Sequence, residues 1–163
     1  MIFDVQISNV RMYKWLSKIV IKQEMTWAEK RKKMDIALKE ITIPFLKEQG
    51  FKGSYPHLRR EKDSKLNLLT FQFSISTPKF VVEISNCPVD GFITSWGEYL
   101  KPAQCRVSYM RDSLRIGSLR HKKDYWYDFE KDSFFTNVYK TRAKEVVENW
   151  QEAEQWWAAN PST

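Results

Sequence analysis

The spacing of apolar positions changes period twice along the chain. Between Thr26 and Gly50, the residues Met34, Ala37, Leu38, Ile41, Phe45 and Leu46 recur at three- and four-residue spacing, one face of an α-helix. Thr26 with Glu29 three positions on is a capping-box pair, in which each side chain satisfies a free backbone N–H of the first turn. Pro44 has no N–H to give the helix interior, so this element, about residues 26–49, is predicted to kink or break near 40–44. Gly50 is a suitable stop.

From Phe51 the period becomes two. "YPHLRR" and "LNLLTFQFSIS" flank the polar turn "EKDSK", and "TPK" leads into "FVVEISN". In the second of these, Leu69, Phe71, Phe73 and Ile75 fall on one face, with Leu68, Thr70, Gln72 and Ser74 on the other. In the third, Glu83 shares a face with Val81 and Ser85, and an outward, solvated carboxylate is the expectation. Residues 87–103 carry Pro, Gly and Asp signals and read as a long connection. "QCRVSYM" reads as a fourth strand, with Cys105, Val107 and Tyr109 on one side. "DYWYDF" reads as a fifth, with Trp126 facing away from Tyr125 and Tyr127 and packing on the last helix.

The period then returns to helical. Tyr139, Ala143, Val146, Trp150, Ala153 and Trp157 alternate steps of four and three, a packing seam, while Glu145, Glu148 and Glu152 line the opposite side and Pro161 lies beyond the end. The predicted fold is α+β: an antiparallel β-meander of about five strands packed against an N-terminal helix (about 26–49) and a C-terminal helix (about 136–159). Neither a repeat nor a linker divides residues 1–163, so one domain is expected. Residues 1–25 are left as an extra strand, a helix or an arm.

Composition agrees with a globular chain: 163 residues, 42% hydrophobic, 29% charged, five Gly and six Pro, with 15% aromatic residues to fill a core. The charge of +7 is unevenly placed. Residues 101–123 carry seven basic groups (Lys101, Arg106, Arg111, Arg115, Arg120, Lys122, Lys123) against Asp112, whereas residues 124–163 carry four basic and eight acidic groups. Such a division gives a positive face that favours polyanions or acidic proteins, or is simply solvated. Two isolated cysteines make no disulfide framework. The opening "MIFDVQISNVRMYKWLSKIVIK" has charges among its apolar residues and lacks a signal peptide's apolar core and cleavage site. No run approaches a membrane span, so a soluble, cytoplasmic protein with no membrane association is expected.

Three stretches carry a family resemblance. They are "LKEQGFKGSYPHLRR", with Leu46-Lys47, Gly50-Phe51-Lys52 and Arg60; "FQFSISTPKFVVEISN", with Gln72 and Ser74 two apart; and "RIGSLRHKKDYWYDF", with Arg115-Ile116-Gly117 before Asp124 and Trp126. Over roughly residues 36–130 the chain resembles the bacterial family known as "domain of unknown function 4304". Tyr127 stands where that pattern has a second tryptophan, and "EISNCP" stands where a glycine-containing strand end belongs. The resemblance implies a small α+β bacterial protein and no reaction.

No residues form a recognisable catalytic set. His57 and His121 lack the neighbours a metal needs, Cys105 alternates with apolar residues as a buried structural thiol does, and no phosphate-cradling glycine motif occurs. No metal, cofactor or catalytic residue is expected. The segment "RHKKDYWYDF" combines cations with rings and is open to three readings: a solvated hairpin turn, a protein-recognition surface, or a nucleic-acid site. The candidate binding residues are Arg111, Arg115, Arg120, His121, Lys122, Lys123, Tyr125 and Tyr127. A non-catalytic protein-binding module, adaptor- or immunity-like, with an acidic protein as partner is the preferred reading. Nucleic-acid binding is the second, and an enzyme with a deep pocket near His57, Glu83 or His121 is the third.

Overall fold

Thr26 opens the first helix as its spacing predicts. In the computed structural model, which describes residues 24–131 and 136–160, the Glu29 N–H donates to Thr26 Oγ1 at 3.3 Å and the Thr26 N–H donates to Glu29 Oε2 at 2.8 Å. This capping box precedes α1 (Trp27–Ala37). The helix then widens into a π-helical turn, Leu38–Thr42, before α2 (Ile43–Glu48). The wider turn is where the chain absorbs the hydrogen bond that Pro44 cannot donate. The possible strand, helix or arm at residues 1–25 lies, as far as residue 23, outside the described residues, as does Pro161.

Alternating apolar residues build the sheet. Strands β1 (Lys52–Ser54), β2 (His57–Lys62), β3 (Lys65–Phe73) and β4 (Lys79–Pro88) form an antiparallel meander. Asp63 and Ser64, both in the left-handed region, make the tight turn between β2 and β3. A separate hairpin follows, β5 (Phe92–Ile93) with β6 (Tyr99–Leu100). Two further strands, β7 (Leu114–Arg115) and β8 (Tyr127–Asp128), share the outer edge of β4, giving the order β1-β2-β3-β4-β7 with β8 also on β4.

The expected fourth strand over Gln104–Met110 is absent: this segment carries a single 3₁₀ turn at Val107–Tyr109. Its Cys105, Val107 and Met110 are buried with Leu66, Leu68, Cys87 and Leu100 in a second core. The segment lies across a sheet face that would otherwise leave Leu66 and Leu68 in water, so it covers the sheet instead of joining its edge. Ile75 also departs from expectation. β3 ends at Phe73, Ser74 Oγ accepts from the Ser76 and Thr77 N–H groups to make the turn, and Ile75 stands almost fully exposed.

The opposite sheet face carries the main core. Leu58, Leu69, Phe71, Phe80, Val82 and Ile84 pack there against Met34, Leu38 and Leu46 of the first helical stretch. The predicted seam Tyr139, Ala143, Val146, Trp150, Ala153 and Trp157 is buried throughout. The C-terminal element is not one helix, however, but α4 (Val138–Glu148) and α5 (Trp150–Ala159), broken at Asn149. Asn149 is buried, and its side chain donates to the Tyr127 hydroxyl and accepts from Arg120. A short helix, α3 (Ser118–His121), occupies the place where a hairpin turn was expected.

Candidate binding surface

The segment that carries both cations and rings folds back on itself. Arg115 Nη1 donates to both carboxylate oxygens of Asp124 at 2.7 Å, and its guanidinium lies 5.1 Å from the centre of the Trp126 ring. The Trp126 indole N–H donates to the same carboxylate at 3.1 Å. Gly117 has φ +99°, and a Cβ there would lie 2.5 Å from the Tyr125 ring. Two residues on, α3 is held by Glu152, whose carboxylate accepts from the N–H groups of Leu119 and Arg120 at 2.9 and 3.3 Å. Glu152 is therefore buried against α3 instead of facing solvent as its helical position suggested.

Tyr127 is fully buried, stacked on Phe80 at 4.8 Å, and its hydroxyl donates to the Ile116 carbonyl at 3.1 Å. Burial pushes its phenol well above the ordinary range. The expectation that Trp126 packs on the last helix is thus reversed. Alternation does send the rings to opposite faces, but Tyr127 takes the core side because it lies opposite Phe80 in the β4–β8 register.

Tyr125 is half-buried and donates its hydroxyl hydrogen bond to Glu145 Oε1. The His121 ring lies flat on it at 4.0 Å, and His121 Nε2 is 3.9 Å from the same Glu145 oxygen. Burial and then that hydrogen bond push the Tyr125 phenol up to about 12. Arg142 donates to the second Glu145 oxygen at 2.5 Å. The candidate residues therefore divide. Arg115, Tyr125 and Tyr127 are committed to internal contacts, whereas Arg111, Arg120, His121, Lys122 and Lys123 remain at the surface, with exposed Leu119 beside the last four.

The largest apolar groups at the surface lie elsewhere, in a segment that reads as a plain connection. The β5–β6 hairpin turns through Thr94–Glu98, where Thr94 N–H donates to the Glu98 carbonyl at 2.9 Å and Gly97 adopts φ +87°. This turn holds Trp96 out of the sheet, edge-on to Tyr109 at 6.2 Å, with its indole N–H on Glu98 at 3.1 Å. Ile93, Trp96, Tyr99 and Tyr109 are 66%, 65%, 56% and 41% exposed. Phe92, Thr94, Trp96, Tyr109, Met110 and Arg111 line an open concavity of about 370 Å³. The one signal for it in the sequence is the spacing of Ile93, Trp96 and Tyr99, bulky residues amid turn formers.

Sheet register aligns other residues singled out by type. His57, Thr70, Glu83 and Arg115 lie in one row across β2, β3, β4 and β7, on the face away from the main core. His57 Nδ1 is 3.0 Å from Thr70 Oγ1. Glu83 is half-buried, not fully solvated, and Oε1 accepts from Ser113 Oγ at 2.9 Å. Cys87 and Cys105 are both buried in the second core, and burial raises the Cys87 thiol above its ordinary range. Among the described residues no group of three or more His, Cys, Asp and Glu is placed to hold a metal ion, and no helix is long and apolar enough to cross a membrane.

The sequence profile of a family described as "Domain of unknown function (DUF4304)" matches residues 41–160. That span begins at the end of the π-helical turn and takes in α2, the whole sheet, the β5–β6 hairpin and both C-terminal helices. No curated protein and no solved structure matches the chain.

Proposed function

The chain belongs to the DUF4304 family, and we propose that it is a non-catalytic protein-binding module, adaptor- or immunity-like, that docks an acidic partner in the bacterial cytoplasm. The observation that carries this reading is the exposure of Ile93, Trp96, Tyr99 and Tyr109 on one hairpin and the turn that follows it. Exposed aromatic side chains on a rigid support are what an interface uses as anchors, because they bury much area at low entropic cost. The surface is open and shallow, as docking requires and as small-substrate chemistry does not.

Charge supplies the choice of partner. Tyr109, Met110 and Arg111 belong to the stretch 101–123, which has seven basic groups against one acid. That excess steers an acidic protein and raises the rate of encounter more than the final affinity. Arg111, Arg120, Lys122 and Lys123 are the exposed cations that contribute to it.

A photo-crosslinking residue placed at position 96 in living cells tests the reading. It should capture one acidic protein, and the purified pair should bind with an affinity that falls at least tenfold in Trp96→Ala or Arg111→Glu. Random-sequence single-stranded RNA and DNA provide the opposing arm, followed by fluorescence anisotropy at two salt concentrations. Tight binding that weakens steeply with salt, and that disappears when Lys122 and Lys123 become Glu, overturns the protein-binding reading in favour of nucleic acid.

A further inference from the structure

Several cations among the described residues are paired with a carboxylate. Arg60 and Lys62 pair with Glu154, Lys79 with Asp128, Arg115 with Asp124 and Arg142 with Glu145. At the β1–β2 edge the pattern differs. Lys52 stands directly opposite Arg59, and Ser54 directly opposite His57, so Lys52, Arg59 and His57 project from the same sheet face. Among the described residues, neither Lys52 nor Arg59 forms an ion pair.

A third cation arrives from the far segment. Arg59 is opposite Leu68 in the β2–β3 register, and Leu68 is packed in the second core with Cys105 and Val107. Arg106, between those two residues, is therefore brought over the same face. It is half-buried, and its Nη1 donates to the carbonyls of Ala103 and Cys105, which holds the chain without neutralising the charge. Gly53 brings β1 close against the Arg59 guanidinium. A Cβ there would lie 3.3 Å from Arg59 Nη1 and 2.9 Å from the His57 carbonyl oxygen, so only glycine lets β1 approach so closely.

We propose that Arg59, Arg106, Lys52 and His57 form a binding site for a small phosphate-type dianion on the face of the sheet away from the main core. Two guanidinium groups provide forked N–H donors for tetrahedral oxygens, and Lys52 adds charge at the rim. The His57 ring is held in a suitable orientation, because Nδ1 is engaged with Thr70 Oγ1 and Nε2 is left as the ring nitrogen for a ligand. The carboxylates of the strands on this face are Glu61, two residues beyond Arg59, and Glu83, one strand beyond Thr70 and engaged by Ser113. The covering segment adds Asp112, whose backbone carbonyl accepts from Ser85 Oγ.

Burial first, and then the charge of Arg106, hold the His57 imidazole below the ordinary value. A bound dianion adds an opposite charge beside the ring and must move that value up. This inference does not depend on the protein-docking reading, since it concerns different residues.

Nuclear magnetic resonance of the two histidines tests it directly, with His57→Gln assigning the signals. Inorganic phosphate should bind saturably and raise the His57 pKa by about one unit, the scale of a nearby opposite charge, while His121 stays unchanged. Sodium chloride at matched ionic strength should reproduce none of the shift, and Arg59→Gln with Arg106→Gln should abolish the phosphate response. An equal response to chloride, or a double variant that responds like the parent, overturns the proposal. So does a His57 response to single-stranded RNA without one to inorganic phosphate. The His57 pKa without ligand, read in the parent and the double variant alike, shows whether the site is intact: it should be low in the parent and rise in the variant.

Discussion

Arg60 and Glu154 meet through two hydrogen bonds, Nη1 to Oε1 at 2.8 Å and Nη2 to Oε2 at 3.1 Å, and so tie β2 to α5. The same guanidinium donates to Asn67 Oδ1 and to the Gln49 carbonyl, and it lies 4.7 Å from the Phe51 ring and 5.2 Å from that of Trp157. It is buried and fully occupied. The pair therefore holds a junction of sheet, first helical stretch and last helix.

Removing one partner should be expensive. Arg60→Met leaves the Glu154 carboxylate with Lys62 and the Trp150 indole N–H, and leaves Asn67 Oδ1 and the Gln49 carbonyl without the Arg60 donor. Loss of about 3 kcal/mol is expected, seen in urea denaturation as a lower midpoint at unchanged slope. The double variant Arg60→Met with Glu154→Leu should recover at least a third of that loss, because an apolar pair needs no desolvation. A double variant less stable than the single one would show that the ion pair itself, and not the stranded charge, matters.

Glu154 also sets an acid limit. Burial alone would raise its pKa, but the hydrogen bonds and charges of Arg60 and Lys62 hold it below the ordinary 4.5. A carboxylate with a lowered folded value stabilises fully above its unfolded pKa and loses that contribution as pH falls through the folded one. Melting temperature should therefore decline below about pH 4.5 more steeply in the parent than in Glu154→Gln. Parallel acid limbs in the two proteins would remove Glu154 from this role.

Gly117 and Gly97 separate two reasons for a glycine. Both have positive φ, but nothing lies within 4 Å of a Cβ at Gly97, whereas one at Gly117 would meet the Tyr125 ring at 2.5 Å. Gly97→Ala should cost about 1 kcal/mol of backbone strain. Gly117→Ala should cost about 3 kcal/mol or more, with a melting temperature lowered by roughly 6–12 °C for a chain of this size. Equal losses would mean that the Tyr125 contact has no energetic weight.

Long periodic runs were legible because many residues share one signal. All six seam positions from Tyr139 to Trp157 are buried, and β2 alternates as its pattern predicts, whereas β3 and β4 are buried on both faces because a second core covers the side opposite the helices. The strands β7 and β8 were not readable at their true length: two residues have no period, and what defines them is the free edge of β4. Periodicity also misplaced Glu152, whose solvent-facing position on α5 is overridden by two backbone N–H groups of α3 that need an acceptor. Of the candidate surface, Lys122 and Lys123 were legible as exposed cations. The Trp96 platform was hidden inside a connection marked by Pro and Gly, and the commitment of Arg115 to Asp124 depends on a turn that the sequence does not display.

Tyr125 offers a spectroscopic check on the contacts between α3 and α4. Its phenol is pushed up to about 12 from an ordinary 10, by burial and by its hydrogen bond to Glu145. A raised folded value stabilises fully below the unfolded pKa and is lost as pH rises through the folded one, so stability should fall between pH 10 and about 12. Ultraviolet titration should show a phenol ionising near the upper value, moving toward 10 in Glu145→Gln. An unchanged titration in that variant would show that the hydrogen bond contributes nothing to the shift.

Trp96 allows the docking surface to be separated from the fold. It is the one exposed tryptophan among the described residues, while Trp150 and Trp157 are buried. Its side chain touches Tyr109 and Glu98 but no part of the main core. Trp96→Phe should therefore change stability by less than about 0.5 kcal/mol, as surface substitutions do. The same substitution should remove a red-shifted, acrylamide-accessible part of the tryptophan emission. In the parent protein, a partner that docks on the hairpin must shield that component, because indole covered by protein loses contact with the quencher. A partner that binds tightly and leaves the quenching of Trp96 unchanged would place the interface elsewhere, and the basic residues around α3 would become the surface to test.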